Sequence, residues 1–332
     1  MRRVVPVVRA ALRQLRAQAF ESTGMSRRRR DRLDGSCAAV LMYHRVVPRD
    51  VIVRDHVEPG MVVTPETFSR HLAWLEEEFS VLPLHEIVAR QGRGDPLPPR
   101  ACAITFDDGW LDNLEHALPA LERWGFPATI FVVTERVGSP GAFWPDEVCR
   151  RLGPLPPTRQ RELARSLGAE AVGDPVASLV AHLKLASEAA RVGLLDSLRG
   201  QTARLADGRR ELLDWSDLAR LANAGIDIES HGASHAILTG LPDDAVEQEL
   251  RRAREQLLER GHGRHALLAY PSGRHDPRVR GIAGKVGHVG AVTTDPGLLS
   301  ARSDRLALPR IGLHDDISRS RAEFLYRFPG SE

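Results

Sequence analysis

The chain has 332 residues, of which 42% are hydrophobic and 27% are charged, and its formal net charge is +2. This balance predicts a soluble protein that buries a sizeable core in one barrel-sized domain. No apolar stretch approaches the ~20 residues of a membrane span. The three cysteines, Cys37, Cys102 and Cys149, are an odd number without metal-ligand spacing, which indicates reduced packing residues and no disulfide scaffold.

Positive charge is concentrated at the N-terminus. Residues 1–35 hold ten arginines against three acidic residues, a net charge of +7 that leaves −5 for the remainder. Arginines interrupt the apolar residues, so no signal peptide is indicated. A leader over 1–36 is therefore predicted, as a basic amphipathic helix on an anionic membrane surface or as a disordered tail, with Met25 as an alternative start. We expect a cytoplasmic location, with possible contact with the inner membrane face, and no nucleic-acid partner.

After the leader, strand patterns and helix patterns alternate. Apolar residues 38–43 predict a strand that ends at His44, which is either a site residue or a structural histidine. Thr64 and Pro65 predict the cap and first position of a helix that extends to Leu82. A similar helix is predicted over 242–260, and the alternation agrees with an α/β barrel.

Two adjacent carboxylates follow the apolar run 101–106, and Gly109 ends the run. Asp107 and Asp108 are therefore expected at the carboxyl end of a strand, where α/β barrels and sheets keep their chemistry. Successive side chains diverge in extended structure, so one acid can bind a metal while the other lies beside the attacking water. Alone, the Asp-Asp-Gly sequence is more often a solvated turn.

A helical interruption is predicted over 147–212. Leucines recur at helical spacing within 176–205, and four prolines at 154, 156, 157 and 175 break the pattern. The segment is interpreted as a helical insertion on the barrel, which either shapes the substrate cleft or only adds outer-layer helices.

A second strand-like run, 225–230, ends at a pair of histidines. His231 and His235 are four residues apart and share a face if the segment turns helically. Two imidazoles plus one carboxylate leave a zinc-like ion an open position for water, as a catalytic site needs. The acids and the histidines together, each after its own strand, predict a divalent-metal hydrolase site.

The TFDDG motif at 105–109 and the HxxxH motif at 231–235 resemble the first two motifs of the polysaccharide deacetylases, also described as NodB-homology or carbohydrate esterase family four proteins. Further matches extend the resemblance over about residues 38–315. It implies a distorted (β/α)7-type barrel over 37–325. It also implies removal of N-acetyl groups from amino sugars of a polysaccharide or lipid-linked glycan, with a bound divalent metal.

Carried over by position, the resemblance makes Asp108, His231 and His235 the metal ligands. Asp107 becomes the general base that takes a proton from the attacking water. Zn²⁺ is the expected metal, with Co²⁺ or Mn²⁺ as alternatives.

The loop that begins at Tyr270 is the expected substrate and oxyanion segment. We expect the N–H of Ser272 to stabilise the tetrahedral oxyanion, because Pro271 has no N–H. Trp110 and Tyr270 are predicted to line a carbohydrate cleft or, alternatively, to be buried core aromatics.

The chain departs from the family pattern at the third motif, which often begins with an arginine that orients the base. Arg310 is the candidate replacement, since it could hold Asp107 ionised from another direction, although it could also be a surface arginine. His314 is the candidate general acid, or alternatively a loop residue.

Two other functions stay open at this stage. The site could act on an O-acetyl ester or an N-formyl amide of a glycan, and nothing in the sequence excludes either bond. The chain could also be a non-catalytic glycan-binding protein that keeps the fold, but retention of Asp107, Asp108, His231 and His235 counts against that.

Overall fold

The structure is a computed structural model that describes residues 4–25, 31, 33–58, 60–141, 143–205 and 210–328. The chain forms two compact units. The first comprises residues 1–46, 60–139 and 212–332, and the second comprises residues 47–59 and 140–211.

A closed parallel barrel forms the centre of the first unit. The strands are β1 (Cys37–Tyr43), β2 (Arg45–Val46), β3 (Val62–Val63), β4 (Ser80–Val81), β5 (Ala101–Phe106), β6 (Thr129–Val132), β7 (Asp227–Ser230), β8 (Leu267–Ala269), β9 (Gly290–Pro296), β10 (Leu299–Ser300) and β11 (Leu308–Gly312). Seven of them pair in the order β1, β11, β9, β8, β7, β6, β5 and back to β1. The predicted (β/α)7-type barrel is confirmed.

Helices connect these strands. Those of the first unit span Val4–Ser22, Pro65–Glu78, Leu84–Arg93, Leu118–Trp124, Trp215–Asn223, Asp243–Glu259, Pro277–Val286, Asp315–Ser318 and Arg321–Tyr326. The Thr64 cap is confirmed, because its hydroxyl accepts the N–H of Thr67 at 3.3 Å. The helix after it ends at Glu78, earlier than the predicted Leu82, because Ser80 and Val81 pair with β5 as a strand.

The leader contains a helix over Val4–Ser22. Ala17 and Phe20 are buried, and the ring of Phe20 meets that of Tyr326 edge-on at 5.3 Å. The arginine cluster 27–30 lies outside the described residues. No helix in the described part of the chain is long and apolar enough to cross a bilayer, and contact with a membrane surface stays a prediction.

The second unit is helical, and it contains residues 147–211 of the predicted insertion. Its helices span Arg49–Arg54, Trp144–Leu152, Pro157–Ser166, Pro175–Leu185 and Glu188–Gln201. Leu179, Leu183, Leu195 and Leu198 lie in its hydrophobic core. These leucines, at helical spacing in the sequence, are on the buried faces of the last two helices. A role of this unit in the substrate cleft stays a prediction.

His71 is a neutral imidazole in the core of the first unit. Its Nε2 lies 2.6 Å from the carbonyl oxygen of Ser318, and its Nδ1 lies 3.0 Å from the hydroxyl of Tyr43. A carbonyl can only accept, so Nε2 carries the proton and Nδ1 accepts from the tyrosine. Burial lowers the pKa of His71 to about 4.

We expect this histidine to make the fold sensitive to acid. Because its pKa is depressed in the folded state, its contribution to stability is complete above about pH 6.5 and is lost as the pH falls through 4. The loss reaches up to about 3 kcal/mol of unfolding free energy. His71→Gln, which can accept and donate in the same places without titrating, should flatten the dependence of urea-unfolding free energy between pH 7 and pH 4. His116→Gln is the control, and an unchanged slope in His71→Gln would contradict the assignment.

Candidate active site

The two acids of the TFDDG motif lie directly after β5, at the carboxyl end of the barrel. The strand ends because Asp108 and Gly109 both adopt left-handed backbone conformations, with φ of 78° and 79°. A Cβ at Gly109 would lie 3.0 Å from Cγ1 of Val132, so a side chain there would meet both backbone strain and a close contact. This turn positions Asp107 and Asp108 beside the ends of the neighbouring strands.

Three side chains at this edge form a candidate metal centre. Oδ1 of Asp108 lies 3.4 Å from Nε2 of His231 and 3.4 Å from Nε2 of His235. Zinc binds such nitrogen and oxygen atoms at 2.0–2.1 Å, so two ligand atoms of a tetrahedral site lie about 3.4 Å apart. The donor types and their separations therefore fit a zinc-like ion, and the structure brings together the three predicted ligands.

An irregular loop carries His231 and His235. The helical turn that their four-residue spacing suggested is not formed. Gly232 and His235 have left-handed backbone conformations, with φ of 80° and 68°. The carboxylate of Glu249 holds the loop by accepting the N–H of Ser234 at 2.6 Å and its hydroxyl at 3.0 Å. These bonds replace the backbone hydrogen bonds that a helix would have supplied.

Hydrogen bonds and nearby charges set the protonation states of these three side chains. Nδ1 of His231 lies 2.7 Å from the carbonyl oxygen of Ala269, so Nδ1 carries a proton and Nε2 faces Asp108. Burial lowers the pKa of His231, but the hydrogen bond to Asp108 and the charges of Asp107 and Asp108 outweigh it, and the pKa is raised. Without an ion, Nε2 therefore shares a proton with Asp108, and a bound ion would take the place of that proton. Burial lowers the pKa of His235 to about 4, which keeps that ring neutral at pH 7. Burial opposes the charge on Asp108, but hydrogen bonding to His231 and the nearby histidines outweigh it and lower the pKa of Asp108.

Trp110 orients the Asp108 carboxylate. Its Nε1 donates to Oδ2 of Asp108 at 3.0 Å, which leaves Oδ1 facing the histidines. Cζ of Arg45 lies 3.9 Å from the centre of the indole ring, and Nε of Arg45 donates to Asp112 at 2.9 Å. The ring is 1% exposed, so it does not line an open cleft, and the core alternative describes it. Trp110 follows the predicted ligand Asp108 by two residues, and this proximity in sequence could have indicated the contact.

We expect Trp110→Phe to weaken metal binding roughly 10–100-fold, which is typical when a partner of a ligand is removed. Phenylalanine keeps most of the ring packing but has no indole N–H to fix Asp108. Affinity is measured by competition with a calibrated chelator. Trp215→Phe, whose ring lies beside Arg260 and His262, is the matched control. Equal affinity in wild type and Trp110→Phe would show that this hydrogen bond does not orient the ligand.

Asp107 forms a buried two-pronged ion pair with Arg310. The guanidinium donates to the two carboxylate oxygens at 2.7 and 2.6 Å, and Nε donates to the carbonyl oxygen of Thr293 at 2.8 Å. Both side chains are at most 2% exposed, so Arg310 is not a surface arginine. Burial raises the pKa of Asp107, but the charge and hydrogen bonds of Arg310 outweigh it, and the pKa is lowered. The carboxylate is therefore ionised at neutral pH.

Two histidines at strand ends differ in their neighbours. Nε2 of His44, after β1, lies 3.8 Å from Oδ2 of Asp107, and burial lowers the pKa of His44. His314, after β11, has its Nδ1 3.5 Å from Oδ2 of Asp316. His44 is therefore the histidine of the two that lies beside Asp107, the candidate base.

The predicted oxyanion loop forms a tight turn after β8. The Tyr270 ring is completely buried, and its hydroxyl donates to the carbonyl oxygen of Leu306 at 2.9 Å, so it does not line an open cleft. Ser272 has a left-handed φ of 56°, and its N–H has no acceptor among the residues that the structure describes. A Cβ at Gly273 would lie 2.0 Å from Oγ1 of Thr294, so only glycine fits the turn.

The chain belongs to the polysaccharide deacetylase family, whose sequence pattern matches residues 94–291. It is 22% identical over 282 residues to the Bacillus subtilis (strain 168) protein YxkH, whose name classes it with these deacetylases; the match covers 85% of this chain and 73% of YxkH. A Staphylococcus epidermidis poly-β-1,6-N-acetyl-D-glucosamine N-deacetylase is 28% identical over 134 residues, which cover 38% of this chain and 44% of that protein.

A solved structure shares the fold. The Streptococcus pyogenes deacetylase PplD, determined in complex with acetate, superposes with a TM-score of 0.58 at 18% identity. The superposition covers 85% of this chain and 95% of PplD.

Proposed function

We propose that the chain is a metal-dependent hydrolase that removes N-acetyl groups from amino sugars of a polysaccharide or a lipid-linked glycan. The observation that carries the proposal is the ionised, buried Asp107 beside a trio of side chains with metal-ligand geometry. Family membership supports an acetylated carbohydrate substrate. The name of the Staphylococcus epidermidis relative supports an N-acetylglucosamine polymer as the first substrate to test.

The chain's own residues account for the proton movements of amide hydrolysis. A divalent ion held by Asp108, His231 and His235 would supply Lewis acidity at the acetyl carbonyl and would make water more acidic. Asp107 accepts the proton of the attacking water while Arg310 keeps the carboxylate ionised and fixed. The N–H of Ser272, which has no acceptor among the described residues, is the candidate donor to the oxyanion of the tetrahedral intermediate.

Cleavage of the carbon–nitrogen bond requires a proton on the departing amine. We assign this step to His44, whose Nε2 lies 3.8 Å from Oδ2 of Asp107. Burial lowers the pKa of His44, so the ring is neutral at first and can receive the proton that Asp107 takes from water and pass it to the amine. The products are acetate and a free amino sugar. His314, the candidate from the sequence, is the alternative donor.

The two histidines give opposite predictions. His44→Asn is expected to lower kcat roughly 10²–10⁴-fold, the range for loss of a general acid, and His314→Asn only slightly. An acyl ester with a good leaving group needs no protonation, so it should be hydrolysed nearly normally by His44→Asn. Steady-state rates on an N-acetylated oligomer and on such an ester decide between the two, and a larger loss in His314→Asn would reverse the assignment.

The function itself is tested by acetate release from N-acetylglucosamine oligomers. The purified protein is stripped with a chelator and then restored with zinc, cobalt or manganese. Release that depends on the restored metal supports the proposal. Release only from O-acetyl or N-formyl glycans would assign a different acyl group or bond to the enzyme. Binding of the oligomer without hydrolysis of any of these bonds would indicate a glycan-binding protein.

A further inference from the structure

A second histidine–carboxylate cluster lies at the opposite end of the barrel from the candidate active site. Asp227 is the first residue of β7, His265 precedes β8, and His85 is in the first turn of helix Leu84–Arg93. Because the strands are parallel, residues that precede β7 and β8 lie at the amino edge, whereas Asp108 and His231 follow strands at the carboxyl edge. The proposed deacetylation uses none of these three side chains.

The three side chains lie close enough together to share one ion. Oδ2 of Asp227 lies 2.7 Å from Nδ1 of His85, and Oδ1 lies 3.3 Å from Nε2 of His265. One ligand atom from each residue lies within 4.8 Å of the other two, as in the Asp108 trio. The 2.7 Å contact between Asp227 and His85 is a hydrogen-bond distance, and it would lengthen to about 3.4 Å around a tetrahedral ion. Two imidazoles and one carboxylate, supplied by three separate segments of the chain, are thus neighbours at this edge.

We propose that His85, Asp227 and His265 form a second metal site, for a divalent transition ion of the zinc type. Imidazole nitrogens with one carboxylate suit Zn²⁺, Co²⁺ or Ni²⁺, whereas Ca²⁺ and Mg²⁺ prefer oxygen ligands. Each carboxylate oxygen already faces one ring nitrogen, so an ion would take the place of the protons now shared between them. Three protein ligands leave the fourth position to water.

The surroundings provide both order and access. The carboxylate of Glu229 accepts the N–H groups of His265 and Leu267 at 3.0 and 2.8 Å, which fixes the segment that carries one ligand. The side chains of His85 and His265 are 32% and 35% exposed, so an ion can enter from solvent. Their rings stack in nearly parallel planes with centroids 3.7 Å apart. An ion cannot lie in both planes, so at least one ring tilts on binding, and its exposure gives it the space to do so.

The site has a structural role in this proposal. It joins helix Leu84–Arg93 to the beginnings of β7 and β8, and an ion that binds only the folded chain stabilises it. The competing arrangement is a metal-free trio in which Asp227 accepts hydrogen bonds from both rings. The two differ in the number of ions that the full chain binds.

The experiment counts bound metal in the full-length protein. Metal-stripped protein is titrated with Zn²⁺ or Co²⁺, and bound ions are measured after dialysis. We expect two equivalents for wild type, one for Asp108→Asn, one for His265→Gln, and none when these two changes are combined. His182→Gln, on helix Pro175–Leu185 of the other unit, is the control for loss of an unrelated imidazole and should bind two.

A second readout separates this site from the active site. In the Asp108→Asn background, Zn²⁺ should raise the melting temperature, and adding His265→Gln should remove that rise. Equal metal content in wild type and His265→Gln, whether one or two equivalents, would overturn the proposal. His85→Gln repeats the test from the helix in case His265→Gln does not fold. The count is independent of acetate release, so failure of the proposed deacetylation and failure of this site give different results.

Discussion

Replacing Asp107 with asparagine is expected to lower acetate release roughly 10²–10⁴-fold, the usual contribution of a general base. Asparagine has nearly the same shape as aspartate, but its amide cannot take the proton of the attacking water. The change keeps one oxygen to accept from Arg310 but leaves the buried guanidinium without its counter-charge, so the variant is expected to be less stable, and its folding is checked by circular dichroism. The measurement is steady-state acetate release from an N-acetylglucosamine oligomer at saturating metal.

Metal content separates the roles of the two adjacent acids. Asp107→Asn should bind as much metal at the active site as wild type, whereas Asp108→Asn should lose that ion, because only Asp108 contacts both His231 and His235. If Asp107→Asn kept most of its activity, Asp107 could not be the base. If it lost the active-site ion, Asp107 would itself belong to the ligand set.

Replacing Arg310 with glutamine is expected to affect both stability and the pH–rate profile. Removing one partner of a buried ion pair leaves an uncompensated charge and costs roughly 3–5 kcal/mol of unfolding free energy. Without the guanidinium, burial dominates, and the pKa of Asp107 rises. The base is active only when ionised, so the acidic limb of kcat/KM should move to higher pH, and the defect should shrink as the pH is raised.

Arg310→Lys tests whether charge alone suffices. A lysine restores the positive charge but cannot form the two-pronged contact with both oxygens, so we expect a stability and an acidic limb between those of wild type and Arg310→Gln. The profiles are measured on folded protein, with folding checked by circular dichroism at each pH. An acidic limb at the wild-type position in Arg310→Gln would show that the ion pair does not set the ionisation of the base.

The barrel and the main site residues could be predicted because their signals are local. Asp107, Asp108 and His231 each follow an apolar strand directly, and strands of one parallel barrel end at one edge. Arg310 could be nominated because it too lies in a strand. The pairing partner of each strand was not needed for these predictions.

Other features depend on three-dimensional packing that no short stretch of sequence encodes. The sequence left two positions open for the indole of Trp110, a cleft or the core, and the hydrogen bond to Asp108 that keeps it in the interior forms only in the folded barrel. The two imidazoles of the amino-edge cluster, His85 and His265, come together only when the barrel closes. The direct contact of His44 with Asp107 has the same origin, since pairing of β1 with β5 brings it about.

The ion pair of Asp107 joins residues that are 203 positions apart in the chain. During synthesis, Asp107 is therefore made long before Arg310. Arg310 lies on β11, the strand that pairs with β1 and closes the barrel. Until that last strand is seated, the carboxylate has no counter-charge in its buried position. Under the proposed mechanism, activity therefore depends on completion of the fold: a C-terminally truncated chain that carries all three proposed metal ligands would lack the cation that fixes the proposed base.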